Sequence, residues 1–262
     1  MISGADWDAT RYHRVAQPHA AWGANVLDRL RLAGDELVLD AGCGSGRVTA
    51  QLLERLPRGR VIAADHSPAM LAEARNTLAA YAERVMFLQT DLLDIADALP
   101  DTQVDVIFST AVFHWIPDHP RLFVALRQVL EPGGRLVAQF GGGTNLQRFM
   151  RAADAVASRE PFTSMLDGKP LWRYYATPEE TEARLLQAGF KDPRAWLEPS
   201  SQTFADPAVL ADFCRGVVLS NHMAVLPDNL RQAFADQVVD EIAQREGRLS
   251  LDYVRLNVDA SG

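Results

Sequence analysis

Residues 38–48, VLDAGCGSGRV, bring an acid, three alternating glycines and an arginine into one short turn. A glycine-rich turn behind an apolar strand lets backbone N–H groups approach a polar ligand closely. A dinucleotide fingerprint requires G-x-G-x-x-G, whereas Gly42, Gly44 and Gly46 give G-x-G-x-G, and Arg47 stands where the third dinucleotide glycine belongs. Asp40 precedes the loop, where a carboxylate repels a pyrophosphate and suits an ammonium. The N-terminus of the following helix remains for a carboxylate. Together these groups describe an amino-acid tail, as at the methionine end of S-adenosylmethionine. Asp65, 19 residues beyond Gly46, ends the next strand at the place of a ribose-binding acid. Asp91, in LQTDLLD, follows the third strand, from which it can accept from an adenine amino group. Each acid alone reads equally as a cap or a solvated loop residue. Their order, with the glycines between the first two, is the specific signal.

A second set of residues lies further along. The fourth strand ends in FSTAVFHWIPDH, where His114 is either a base, an orienting group, or a residue packing the strand-to-helix turn. Trp115 shields a site or belongs to the core. Arg148, Arg173, Arg215 and His222 are candidates for acceptor recognition, because a planar guanidinium pairs a carboxylate through two hydrogen bonds. The aromatic run LWRYY at 171–175 reads as a partly apolar substrate wall or as a clamp. His119 reads as an ordinary helix-start residue. With His114 five positions earlier it lacks the i,i+4 spacing of a helical metal pair, and no metal is expected.

The elements that must position these residues alternate from 35 to 140. Strands are expected at 37–41, 60–64, 84–89, 104–109 and 133–140, with helices at about 46–56, 68–81 and 119–130, the pattern of a parallel sheet covered on both faces. Ser67-Pro68 is a good helix start. Helical spacing at 19–31 and the aromatic WDATRYHRV upstream suggest an N-terminal cap over about 1–33. Beyond 140 the pattern predicts helices at 146–158 and 178–188, a strand at about 193–198, two helices across 207–246 and a closing strand at 250–258. The economical reading is a single domain over 1–262 with inserted lid segments at about 142–177 and 204–247. The 262 residues are 48% hydrophobic, ample for a core. A net charge of -8 argues against nucleic-acid or anionic-membrane partners. Two cysteines without a CxxC pair, no signal-like start and no long apolar run suit the cytoplasm. Oligomeric state is not legible.

VLDAGCGSGRVT, AADHSPAMLAEAR, TDLLD and LEPGGRLV together resemble the class I S-adenosylmethionine-dependent methyltransferases, most fully over 35–140. The resemblance implies a Rossmann-like α/β fold, a doubly wound seven-stranded sheet of order 3-2-1-4-5-7-6 whose last strand is antiparallel, with LDYVRLNV as that strand. It implies S-adenosyl-L-methionine as cofactor and S-adenosyl-L-homocysteine as product. By position, Gly42, Gly44 and Gly46 would line the methionine tail beside Asp40. Asp65 would bind the ribose, and Asp91 with Leu92 the adenine, while Met70, His66 and Ser109 would complete the cofactor-binding set. The segment after the fourth strand lacks the Asn-Pro-Pro-aromatic and Pro-Cys motifs of nucleic-acid methylation. FHWIPDH and TPEETEARLLQAGF resemble the subgroup that includes trans-aconitate and juvenile-hormone acid methyltransferases. That implies O-methylation of a carboxylate on a small molecule, with Trp115, Arg173, Arg215 and His222 on the substrate side. Ser220-Asn221 stands where some relatives carry arginine and proline. The alternatives are O- or N-methylation of a hydroxyl or amine, for which His114 is the base candidate. More distant readings are a nicotinamide-dependent oxidoreductase and a non-catalytic module that binds the sulfonium ligand.

Overall fold

The computed structural model describes residues 23–262. The lead-in WDATRYHRV and most of the expected N-terminal cap lie outside the described residues; a helical turn runs through 23–27. The β-branched runs form β1 (Leu37–Ala41), β2 (Arg60–Asp65), β3 (Val85–Gln89), β4 (Val104–Thr110) and β5 (Leu130–Gly141). Between them stand α1 (Arg47–Glu54), α2 (Pro68–Thr77), the single turn α3 (Ile95–Ala98) and α4 (His119–Gln128). After β5 come α5 (Gln147–Ala157), α6 (Thr163–Leu166), α7 (Pro178–Gln187) and β6 (Lys191–Pro199). The rest of the chain forms β7 (Gln202–Thr203), α8 (Pro207–Phe213), α9 (Ser220–Val225), α10 (Asp228–Glu246), β8 (Ser250–Leu251) and β9 (Val254–Ser261).

The main sheet runs β3-β2-β1-β4-β5-β9-β6, with β1 to β5 parallel and β9 antiparallel to β5. This is the expected order, the strand between β5 and β6 being β9 because β7 and β8 pair separately. Successive residues of a strand point to opposite faces, and β1 shows both faces buried. Val38 belongs to the buried cluster that holds Leu52, Leu53, Val61 and Phe108, while Leu39 belongs to the one that holds Ile62, Ile107, Phe123 and Phe140. Helix α2 begins as its sequence asks: Ser67 Oγ accepts from Met70 N at 3.2 Å, with Pro68 in the first turn. The expected helix 68–81 instead ends at Thr77, and a 3-10 segment, Ala79–Arg84, follows. The tighter path delivers the Arg84 guanidinium to the Leu53 carbonyl in the last turn of α1 and to the Leu56 carbonyl just beyond it.

The chain divides into two compact units. One, made of the described residues up to 143 together with 174–198 and 255–262, holds the seven-stranded sheet. The other is built from 144–173 and 199–254 and contains α5, α6, α8, α9 and α10 with the β7–β8 ribbon. Two expectations are corrected here. The closing strand 250–258 is split, because Asp252 leaves the pairing: its carboxylate accepts from Arg148 N (2.8 Å) and Phe149 N (3.1 Å), and its carbonyl from Leu146 N (2.9 Å). It thereby caps α5, whose own N-cap residue, Leu146, has no capping side chain. The stretch 207–246 holds three helices rather than two, broken by a π-helical turn, Cys214–Val218.

Candidate functional site

The acids and glycines of the sequence pattern meet where β3, β2, β1 and β4 end. Asp40 is buried, and Thr49 Oγ1, one turn into α1, donates to it at 2.6 Å. Gly42 and Cys43 both donate their N–H to Ala64 O at 2.9 Å, stitching the loop to β2. Gly42 has φ +91°, and a Cβ there would lie 2.3 Å from Val112 Cγ2, so glycine is required. At Gly44 (φ +54°) a Cβ would meet nothing within 4 Å, so the loop has open space above it. The Gly44 N–H donates to Asp65 Oδ2 and the Ser67 N–H to Asp65 Oδ1, both at 2.9 Å. Asp65 therefore braces the glycine loop while its remaining lone pairs stay suited to hydroxyl donors. Gly46 is the N-cap of α1.

Around these, Met70 is buried in the first turn of α2, and His66 is exposed, with Nδ1 3.4 Å from Asp65 Oδ1. Asp91 accepts from Leu93 N at 3.0 Å and starts a short 3-10 turn in which Leu92 is buried. Ser109 is buried and its hydroxyl donates to Ala41 O at 2.7 Å, so its side chain ties β4 to β1. Burial pushes the Asp40 pKa up to about 7, against the opposing Thr49 hydrogen bond and with help from the Asp65 charge.

The chain leaves β4 through Ala111, a non-glycine residue at φ +60° whose N–H donates to Gln139 O at 2.7 Å. Such a conformation costs about 1 kcal/mol or more, and it turns Val112 onto the glycine loop. A 3-10 turn, Phe113–Trp115, follows. The Gly141 N–H donates to His114 Nδ1 at 3.2 Å. Since a backbone N–H can only donate, Nδ1 is the unprotonated nitrogen of neutral His114, and Nε2 carries the proton. The His114 ring lies 5.5 Å from Trp115 and 6.2 Å from Tyr175. Tyr175 belongs to the LWRYY run expected as a substrate wall or clamp, whereas His119 and Thr49 are neighbours that spacing alone did not single out as site residues, since they reach the site through tertiary contacts.

The remaining candidates belong to the second unit and have partners inside it. Arg173 donates to Val217 O (3.0 Å), Val218 O (3.4 Å) and Ser220 Oγ (2.9 Å), serving carbonyls of the π turn. Asn221 donates to Leu171 O at 3.0 Å. Arg215 pairs with Asp212 and Gln232, and Arg148 with Glu246 and Asp252. His222 is 1% exposed, its ring 4.6 Å from Trp172 and 5.6 Å from Phe234. Burial, and secondarily the Arg173 charge, bring its pKa down to about 4. Among the described residues, no group of three or more His, Cys, Asp or Glu is arranged to hold a metal ion. No described helix is long and apolar enough to cross a membrane.

Comparison with known proteins bears on the family and the fold. A family profile described as "Methyltransferase domain" matches residues 38–134. A protein named trans-aconitate 2-methyltransferase from Methylobacterium nodulans is 32% identical over 262 residues, covering 96% of either chain. Among solved structures, the YcgJ protein of Bacillus subtilis superposes with a TM-score of 0.66 at 14% identity, covering 93% of this chain and 98% of that one. A phosphoethanolamine N-methyltransferase 2 from Haemonchus contortus, solved with S-adenosyl-L-methionine, gives 0.60 at 18% identity over 98% of this chain and 57% of that one. At those identities the two structures speak for the fold.

Proposed function

Because the chain belongs to the class I S-adenosylmethionine-dependent methyltransferases and acts on a small molecule, we propose that its acceptor is a carboxylate and its product a methyl ester. The observation that carries this reading is the Gly141 N–H bond to His114 Nδ1. A base for a hydroxyl acceptor needs an open lone pair, but the acceptor nitrogen of His114 is already engaged and Nε2 is a donor. A donor suits an acceptor that is already anionic, and a carboxylate is ionised at neutral pH without a base.

The residues at the strand ends fit the cofactor. The open space over Gly44, the buried Asp40 and the braced Asp65 offer room, an ammonium partner and a hydroxyl acceptor. When bound, the cofactor supplies an electrophilic methyl group on a sulfonium. The protein's own task is then alignment and exclusion of water. In this reading Asp40 receives the ammonium, Asp65 the ribose hydroxyls and Asp91 with Leu92 the adenine, and His114 Nε2–H orients the acceptor oxygen beside Trp115 and Tyr175. The relative at 32% identity is named for trans-aconitate, which makes an unsaturated polycarboxylate the first acceptor to try. The buried free thiols Cys43 and Cys214 are in keeping with a reducing, cytoplasmic setting.

The test is transfer of a labelled methyl group from S-adenosylmethionine to trans-aconitate, other small carboxylic acids, phenols and amines. The expected product is a base-labile methyl ester, formed from an acid. Label found on phenols or amines alone would overturn the carboxylate assignment, and cofactor binding without transfer to any acceptor would favour a binding module.

A further inference from the structure

His119 was read from the sequence as an ordinary helix start, but its side chain is fully buried beneath the turn that carries His114 and Trp115. Its Nε2 lies 3.0 Å from Phe113 O, and since a carbonyl only accepts, Nε2 carries the proton. The same carbonyl accepts from Ile116 N at 3.0 Å. Phe113 O belongs to the peptide plane that leads into His114, so two donors on it fix the orientation from which the His114 side chain departs. The His119 ring is held 5.5 Å from Phe123 and 5.7 Å from Phe140. On another side it meets Tyr174 at 5.9 Å, next in sequence to the Tyr175 that flanks His114. Arg184 Nη2 donates to the Tyr174 hydroxyl at 3.0 Å and steadies that side chain.

The other nitrogen tells against simple packing. His119 Nδ1 is buried without a hydrogen-bond partner among the described residues, and an unmade bond of this kind is unfavourable inside an apolar cluster. Phenylalanine would fill the same space between Phe123 and Phe140 without that loss. What histidine adds is the bond to Phe113 O. We propose that His119 is a positioning residue for methyl transfer, aiming His114 at the acceptor by clamping the Phe113 carbonyl. The proposal rests on the reading of His114 as an acceptor-orienting donor.

The experiment compares His119→Phe with His119→Gln, alone and in a His114→Ala background, by kcat, acceptor KM, affinity for S-adenosylhomocysteine and thermal stability. His119→Phe keeps the packing and removes the donor; a tenfold or greater fall in kcat is expected, with cofactor affinity within twofold of the wild type. Glutamine extends an amide N–H about as far as Nε2 and should restore most of the lost turnover. In the His114→Ala background His119→Phe should cost little further, because the clamp then has nothing to aim. Imidazole nitrogen NMR gives a second readout: the Nε2–H tautomer signature of His114 should weaken in His119→Phe and return in His119→Gln.

Wild-type kcat in His119→Phe, or an equal loss with and without His114, would overturn the proposal while leaving His114 its role. Undiminished turnover in His114→Ala would remove the donor reading itself. Should His119→Phe fail to fold, His119→Asn replaces it. Its shorter amide does not reach Phe113 O, so it should lose turnover where glutamine keeps it, and equal activity of the two would refute the clamp.

Discussion

In the proposed reading, where Asp40 receives the cofactor's ammonium, one residue would link the cofactor to pH. Burial raises its pKa to about 7, against about 3.9 in an unfolded chain. The sign follows: its stabilising contribution is complete below about pH 4 and disappears as pH rises through 7, where the ligand-free fold must carry a buried charge. An ammonium beside it reverses the preference, so ligand binding should expel a proton below pH 7. Affinity for S-adenosylhomocysteine should weaken roughly tenfold between pH 8 and pH 6, and Asp40→Asn should flatten that dependence. An affinity that does not change over this interval would remove Asp40 from the ammonium role. At this scale the sequence was informative where geometry is local: Asp40, the glycines and Asp65 come together at the strand ends that their spacing along the chain predicts. Arg173 and His222 were opaque because their surroundings come from residues 45 to 50 positions away, Ser220 and Val218 in one case and Trp172 in the other.

Elements were legible in proportion to their periodicity and their caps. The two-sided burial of β1 and the Ser67-Pro68 start of α2 are short-range patterns, and the chain obeys them. The split of the closing strand was hidden because its cause is a helix more than a hundred residues earlier, where Asp252 accepts the free N–H groups at the start of α5. That origin makes a prediction: Asp252→Ala should destabilise the protein by about 1–2 kcal/mol, the range for losing an N-cap acceptor. Amide exchange should rise first at Arg148 and Phe149. Asp252→Asn should retain part of the effect, and an unchanged denaturation midpoint for the alanine variant would show that α5 is capped otherwise. The π turn Cys214–Val218 has no comparable sequence signal, since its freed carbonyls are satisfied by Arg173, from another segment.

For the molecule as a whole, two buried histidines contribute to its sensitivity to acid. Burial lowers the pKa of His222 to about 4 and also lowers that of His119. The unfolded chain takes up these protons near pH 6.5, whereas the folded chain resists, so stability present above 6.5 is lost as pH falls toward 4. For His222 the shift corresponds to about 3 kcal/mol. Denaturation curves between pH 7 and pH 4.5 should show this loss, and His222→Phe, which can stack on Phe234 and meet Trp172 edge-on, should shrink it. An unaltered pH slope in that variant would mean that His222 is protonated as easily in the fold as outside it.

Strand β9 follows every other strand of the main sheet in the chain, yet it lies between β5 and β6 and pairs with β5 as far as Gly141↔Arg255. On the ribosome, therefore, β5 and β6 are made with a vacant slot between them, each presenting an unpaired edge until residues 254–261 emerge. Gly141, whose N–H fixes the His114 tautomer, ends β5, the strand whose edge is covered only when β9 arrives. A nascent chain can assemble the glycine loop from β1 and β2 long before this, so the capacity to hold a cofactor should mature ahead of the capacity to use it.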